Sequence, residues 1–394
     1  MKIGLPKARQ AGENRVALIP ENVQRLTERG IDIVVERGAG SSAGFSDEAY
    51  QQAGAELVGS AGACCASADI VVAVNLAGEA LTETASLLDE GQLLLGMMDP
   101  LSDQERFTAL AQQGITSVAL ELVPRISRAQ SMDVLSSMAT LAGYKAVLLA
   151  ANASKRIYPM MMTAAGNLSP ARVFIMGAGV AGLQAAATAK RMGAVVEAYD
   201  VRPAAREQIL SVGAKPVELE LEAEATEGQG GYARQQSEAF LQRQREQMTN
   251  ILAEQDIVIT TAAVPGAKSP VLITADMLAQ MKPGAVIVDL ASERGGNCEL
   301  TCHGETRVVN EVTLIGPDNI ASTLANHASQ MFANNIENFL NNILNEEGGY
   351  QLDFDDEIIQ ASVITHQGEL VNSRIRDQLG LSPLLNEPVM EEVA

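Results

Sequence analysis

Residues 172–202 constrain the fold more than any other stretch of the chain. An apolar run, RVFIM, leads into three glycines spaced Gly177-x-Gly179-x-x-Gly182, an alanine-rich segment follows, and a second apolar run ends at Asp200. This order reads as strand, tight turn, helix, strand. In such a unit Gly177 permits the turn, Gly179 lets the main chain approach a pyrophosphate, and Gly182 lets helix and strand pack closely. The helix N-terminus then offers its N–H groups and the positive end of its dipole to the phosphates. Three glycines alone also suit an ordinary turn. Here the strands, the helix and the acidic residue are all in place, which points to a dinucleotide. The Asp200 carboxylate is suited to ribose hydroxyls and repels a 2′-phosphate. The expectation is therefore NAD(H) over NADP(H), with Arg202 able to offset that repulsion.

Around this unit the chain keeps a strand–helix rhythm. Strands are predicted at 2–6, 31–36, 70–74, 92–96 and 115–119, with helices at 21–29, 81–89 and 103–113 between them. A second series has strands at 173–176, 195–199, 215–218, 256–260, 285–289 and 313–315, with helices at 180–192, 204–210 and 237–253. Strands alternating with helices of this kind predict parallel sheets covered by helices. Residues 131–153 and 322–344 read as long helices, the first connecting two domains and the second carrying the chain back. The fold class expected is α/β, with two Rossmann-like domains, parallel sheets and a cleft between them. The first domain comprises 1–135 and 330–394, and a nucleotide-binding domain comprises 136–329. Residues 219–234, rich in Glu and Gly around Tyr232, break the rhythm and are expected to form a mobile functional loop. The acidic end, 379–394, reads as a loosely held tail.

Composition excludes several functions. With 28 Lys and Arg against 49 Asp and Glu, the net charge is −21, a field that repels nucleic acid and anionic membranes. Backbone N–H groups still hold phosphate without a basic surface. No signal peptide is evident, and no run of 18 apolar residues suggests a direct membrane span. The four cysteines, Cys64, Cys65, Cys298 and Cys302, are too few for a disulfide framework and fit a reducing cytosol. Cys298-x-x-x-Cys302-His303 has no second cluster to complete a zinc site, so no metal is expected.

Two further features bear on chemistry. Arg125, Ser127, Arg128, Gln130, Asp133 and Ser136 crowd the entrance to the helix expected at 131–153. They read equally as a helix cap with a solvated face and as the polar lining of an interdomain cleft. In addition, no His precedes His303. Reduction of a carbonyl or imine needs a positioned proton donor, whereas hydride exchange between two nicotinamide rings needs none.

The segment RISRAQSMDVLSSMATLAGYKA closely resembles the first domain of the proton-translocating NAD(P) transhydrogenase alpha subunit. The resemblance continues through KIGLPKARQAGENRVALIP, GAGVAGLQAAATAKRMGAVVEAYDVRP, GGYAR, TTAAVPG and MKPGAVIVDLASERGGNCE, nearly the whole chain. It implies two α/β domains with NAD(H) bound in the cleft between them, and a homodimer. That homodimer docks on an NADP(H)-binding beta subunit and on membrane subunits, so the chain is cytoplasmic and peripherally attached to the inner membrane. Arg125, Ser127, Gln130, Asp133 and Ser136 match residues lining the nicotinamide site. Gly177, Gly179, Val180, Gly182, Asp200, Val201 and Arg202 match those around pyrophosphate and adenosine. Gly231, Tyr232, Ala263 and Val264 fall in matching nucleotide-binding segments, with Tyr232 on a loop that closes over the nucleotide. Arg125, Gln130, Asp133, Ser136 and Tyr232 are the residues expected to serve hydride transfer.

Alanine dehydrogenase resembles the same family and uses a Lys and a His of its first domain as acid–base residues. The matching stretches here are VVAVNLA (71–77) and LLGMMDP (94–100), with Ala73 in place of that Lys and no His. An alanine-dehydrogenase-like enzyme is thus the alternative reading, and a non-catalytic NAD-binding sensor is another. Residues 315–326 match the family less clearly. The chain ends in acidic residues without an apolar helix, which fits a separate subunit of a three-polypeptide system.

Overall fold

The computed structural model describes residues 1–219, 238–264, 266–345 and 348–382. The chain divides into two compact units, Met1–Ser137 with Ala325–Ala394, and Met138–Leu324.

In the first unit, strands β1 (Lys2–Leu5), β2 (Asp32–Glu36), β3 (Glu56–Val58), β4 (Ile70–Asn75), β5 (Leu93–Met97) and β6 (Thr116–Ala119) are parallel to their neighbours. Helices between them begin where the sequence supplies caps. Pro20 opens Pro20–Glu28 at a position that needs no N–H, and the Ser46 and Ser60 side chains accept the first-turn N–H groups of Asp47–Gln52 and Ala61–Ala66.

In the second unit, β7 (Met161–Thr163) and β8 (Gly166–Leu168) form a separate antiparallel hairpin. Strands β9 (Arg172–Met176), β10 (Val195–Tyr199), β11 (Lys215–Pro216), β12 (Ile257–Thr260), β13 (Val286–Asp289), β14 (Thr306–Val309) and β15 (Val312–Ile315) form a sheet in the order β11-β10-β9-β12-β13-β15-β14. One face, with Val173, Ile175, Ile257 and Ile259, packs on the alanines of Val180–Arg191 and on Ala146, Val147 and Ala150. The other face, with Phe174, Met176 and Val258, packs on Met248, Leu252 and Leu278. A strand buried on both faces reads as an unbroken apolar run, which is why RVFIM is so legible.

The chain then re-enters the first unit, where β16 (Val363–His366) and β17 (Glu369–Leu370) extend its sheet to the order β17-β16-β6-β5-β4-β1-β2-β3. The two large sheets are mostly parallel, as expected, with antiparallel pairs at their edges. β16 runs antiparallel to β6 and β17, and β14 runs antiparallel to β15. The β14–β15 and β16–β17 pairs turn on tight loops with Asn310, Glu311 and Gln367 in the left-handed region, and a short hairpin of this kind can join only antiparallel strands. By length and composition alone the helix Val134–Ala153 could cross a membrane, a test that the core helix of a compact protein also passes; its Val134, Met138, Ala146, Val147 and Ala150 are buried.

Candidate nucleotide site

In the second unit, β9 lies at the centre, with β10 on one side and β12 on the other. Chain connections leave in opposite directions at this point, so a crevice opens beyond the strands' C-terminal ends, where ligands of open α/β sheets bind. Register brings Met176 beside Tyr199 and Thr260, and Thr260 beside Asp289. Gly177, Asp200 and Thr261 therefore follow at one edge.

The three glycines differ in backbone conformation and surroundings. Gly177 has φ +99°, in the left-handed region, and a Cβ at Gly182 would lie 1.8 Å from the Gly177 carbonyl oxygen. A Cβ at Gly179 would meet nothing within 4 Å. That open space adjoins the first turn of Val180–Arg191, whose N-cap Gly179 carries no side-chain cap. The cradle fits a diphosphate. Val180, 38% exposed, stands at its rim, and Val201 is half-buried against the core.

Asp200 occupies the expected position with more partners than the sequence suggests. Its Oδ2 accepts from the Ala178 N–H (2.7 Å) and from Arg202 Nη2 (3.0 Å). Its Oδ1 accepts from the Arg202 N–H and Nε, both at 2.9 Å. The carboxylate ties the glycine turn to Arg202, and a ribose must share it with that guanidinium.

The turn is held from below by residues that sequence reasoning did not single out. Thr261 Oγ1 donates to the Gly177 carbonyl (3.0 Å). Asn297, fully buried, donates through Nδ2 to the carbonyls of Ala262 (2.8 Å) and Pro270 (2.9 Å), and accepts the Ala262 N–H at Oδ1 (2.9 Å). This fixes the segment that presents Ala263, exposed, and Val264, half-buried. Buried Asp289 accepts from Thr260 Oγ1 (2.9 Å) and from the Cys298 N–H (3.0 Å). Gly143, inside Val134–Ala153, lies so near the next helix that a Cβ there would sit 2.1 Å from the Ala181 carbonyl. A glycine in mid-helix was the available signal, because it costs about 1 kcal/mol unless packing needs it.

In the first unit, Asp133 brings part of the polar cluster together. Its Oδ1 accepts the Ser136 N–H (2.8 Å), its Oδ2 accepts from Ser136 Oγ (2.6 Å), and Arg125 Nε stands 3.7 Å from Oδ2. Asp133 thus caps Val134–Ala153 and also orients Arg125 and Ser136. Ser127 and Gln130 are exposed on the 3-10 turn Ser127–Met132. Arg128 is directed elsewhere, to Asp356, whose carboxyl it holds down at about 2.

The same unit has a concavity beyond the ends of β1 and β4, lined by Lys7, Arg9, Arg15, Ala73 and Asn75, among others. Arg15 is buried and bound at both ends by Glu13, Nε to Oε1 at 2.7 Å and Nη2 to Oε2 at 2.6 Å. The concavity's lining includes no His. Elsewhere in the first unit, the Glu121 carboxyl is enclosed. Oε1 accepts the N–H groups of Met98 and Asp99, Oε2 has no partner, and burial pushes the group up to about 7. Gly231 and Tyr232 lie outside the described residues.

Residues 4–142 match the family model for the N-terminal domain of alanine dehydrogenase/PNT, and residues 146–373 match that for its C-terminal domain. The chain is 44% identical to the first portion of NAD(P) transhydrogenase subunit alpha of Rhodospirillum rubrum, over 96% of this chain and 100% of the relative. The crystal structure of transhydrogenase from Sinorhizobium meliloti superposes with a TM-score of 0.81 at 41% identity, covering 95% of this chain and 100% of the other. Alanine dehydrogenase of Halomonas elongata is more distant, at 30% identity over 97% of each chain. The chain therefore belongs to the alanine dehydrogenase/PNT family, on the side of its NAD(P) transhydrogenase alpha subunits.

Proposed function

We propose that this chain is the NAD(H)-binding component of a proton-translocating transhydrogenase. In this reading it presents NADH for hydride transfer to NADP⁺ on a partner beta subunit and works as a homodimer at the cytoplasmic face of membrane subunits. The observation that carries the reading over an amino-acid dehydrogenase is the first-unit concavity, with Ala73 in its wall, Arg15 tied to Glu13, and no His in its lining. Lys7 and Glu83 are in the lining, but of the Lys and the His that serve as acid–base residues in the dehydrogenase, the Lys is replaced by Ala73 and no His is in the lining.

The work assigned to the chain is binding and orientation. The Gly177–Gly182 turn and the helix behind it receive the diphosphate. Asp200, with Arg202, receives the adenosine ribose, beside Val180, Val201, Ala263 and Val264. Arg125, Ser127, Gln130, Asp133 and Ser136 serve the nicotinamide end with donors and acceptors. Bound NADH supplies the hydride. The residues contribute by holding the ring at reacting distance and angle, which lowers the barrier without any proton transfer. Gly231 and Tyr232 belong to the same proposed site.

Fluorescence titration with NADH and NADPH, with an assay for pyruvate and ammonia consumption, tests the assignment. The reading expects tighter NADH binding and no reductive amination. Turnover of pyruvate by the chain alone would replace it with the dehydrogenase reading.

A further inference from the structure

The second half of helix Ala325–Ile343 is crowded with asparagine, a poor helix former. Residues three and four apart share a face of a helix, and here they form two polar stripes. Asn334, Glu337 and Asn341 meet Asn22, Arg25 and Arg29. Asn335, Asn338 and Asn342 form the other stripe, toward the turn Ser127–Met132. Asn335, buried, donates through Nδ2 to the Ser131 carbonyl (2.7 Å), and Asn338 Nδ2 stands 3.5 Å from the same oxygen. Asn342 Nδ2 donates to Asp356 Oδ2 (3.0 Å). Asp356 in turn accepts from Arg128 at both oxygens, from Nη1 at Oδ2 (3.1 Å) and from Nη2 at Oδ1. Its Oδ1 also accepts the Ile358 N–H (2.8 Å), which caps the helix Glu357–Ser362.

The turn held in this way is six residues of 3-10 helix, longer than such helices usually run without support. Ala129 and Met132 are buried beneath it. From outside it is fixed at Arg128 by Asp356 and at Ser131 by Asn335. Gln130, exposed, lies between these two holds, and the Arg125–Asp133 pair flanks them. We infer that Asp356 is a positioning residue for the nicotinamide end of the site. It acts through Arg128 on the turn that carries Gln130 and joins Arg125 to Asp133, and this role rests on the reading of those residues given above. With the Arg128 side chain 48% exposed, the ion pair adds little to stability. Its effect is geometric instead, because two parallel bonds fix a guanidinium against a carboxylate. Hydride transfer needs near-contact distance and alignment of the reacting rings, so a small misplacement of the turn slows transfer far more than it weakens binding. Arg128 holds the Asp356 carboxyl down at about 2, and the pair therefore persists at neutral pH.

Asp356→Asn keeps an acceptor for the Ile358 N–H and removes the charge that holds Arg128. In the chain without nucleotide, this variant should melt with the parent while amide exchange across residues 127–133 quickens. Its NADH dissociation constant should stay within about twofold of the parent's. Reconstituted with an NADP(H)-binding beta subunit, it should transfer hydride in a single turnover about five- to tenfold more slowly. Arg128→Gln should do the same, and the double variant should be no slower than the slower single one, since both remove one interaction. Should Asp356→Asn fail to fold, Arg128→Gln decides. Parental exchange or parental transfer in the folded variants overturns the assignment. So does a loss of rate matched by an equal loss of NADH affinity, which would make Asp356 merely structural. Losses that multiply in the double variant overturn it as well, because the two residues would then act separately. A parent chain that transfers no hydride to the beta subunit's NADP⁺ overturns the transhydrogenase reading and this role with it; a competent parent matched by its variants overturns this role alone.

Discussion

Gly179→Ala separates the nucleotide-binding role of the glycine turn from its structural role. At Gly179 the backbone has φ −76° and ψ −168°, which alanine adopts without strain, and the added Cβ meets nothing within 4 Å. The fold should therefore tolerate the change, and the reduced freedom of the unfolded chain should stabilise the protein by about 0.4–1 kcal/mol. The same methyl group stands where the diphosphate must approach the main chain. Moving the diphosphate by even a few tenths of an ångström lengthens its hydrogen bonds to the first turn of Val180–Arg191. Losing one charge-assisted bond of about 1.5–3 kcal/mol weakens binding by a factor of roughly ten to a hundred. Gly182→Ala is the contrasting case, since its Cβ would lie 1.8 Å from the Gly177 carbonyl oxygen and the backbone itself must shift. It should lower both stability and binding. Thermal melting and NADH fluorescence titration on both variants form the assay. Unchanged NADH affinity in a folded Gly179→Ala protein would refute the placement of the diphosphate.

Two other perturbations follow from the site and its surroundings. Arg202→Ala removes the cation bound to Asp200, so the ratio of NADPH to NADH dissociation constants, from paired titrations, should rise; a falling ratio would show that the Asp200 charge does not govern the choice. Glu121→Gln should flatten the pH dependence of stability. Burial raises the folded carboxyl from 4.5 to about 7, so the folded state keeps a proton that the unfolded state releases. Stability is then fully present below pH 4.5 and declines up to pH 7, by on the order of 3 kcal/mol. Urea unfolding at pH 5 and pH 7.5 should show that decline in the parent chain and not in the variant, and equal declines in both would contradict it.

The sequence showed most where burial on two faces left its mark. The apolar runs of β9 and β10 were placed within a residue of their observed ends, and the glycine spacing located the crevice. β16 escaped notice because four residues ending in Thr365 and His366 carry too little apolar pattern. The hairpin escaped because MMMTAAGNL shows no alternation that a half-buried strand would impose. At the site, one position took on two meanings. Asp133 was weighed as a helix cap or as cleft lining, and the observed cap also orients Arg125. Asn297 was invisible because its importance rests on two carbonyls far away in sequence, at Ala262 and Pro270. The four hydrogen bonds to Asp200 likewise depend on how the turn folds back over the strand end.

The central claim, that the chain orients NADH for direct transfer to a nucleotide on another protein, is tested most directly by following the hydride itself. The chain, reconstituted with an NADP(H)-binding beta subunit, is mixed in a single turnover with NADH deuterated at nicotinamide C4 and with NADP⁺. The account predicts that the deuterium arrives in NADPH with none lost to water. It also predicts that Arg125→Ala slows this step tenfold or more, a change needing only about 1.4 kcal/mol, while NADH affinity changes little. Deuterium released to solvent, or a transfer rate indifferent to Arg125, would contradict it.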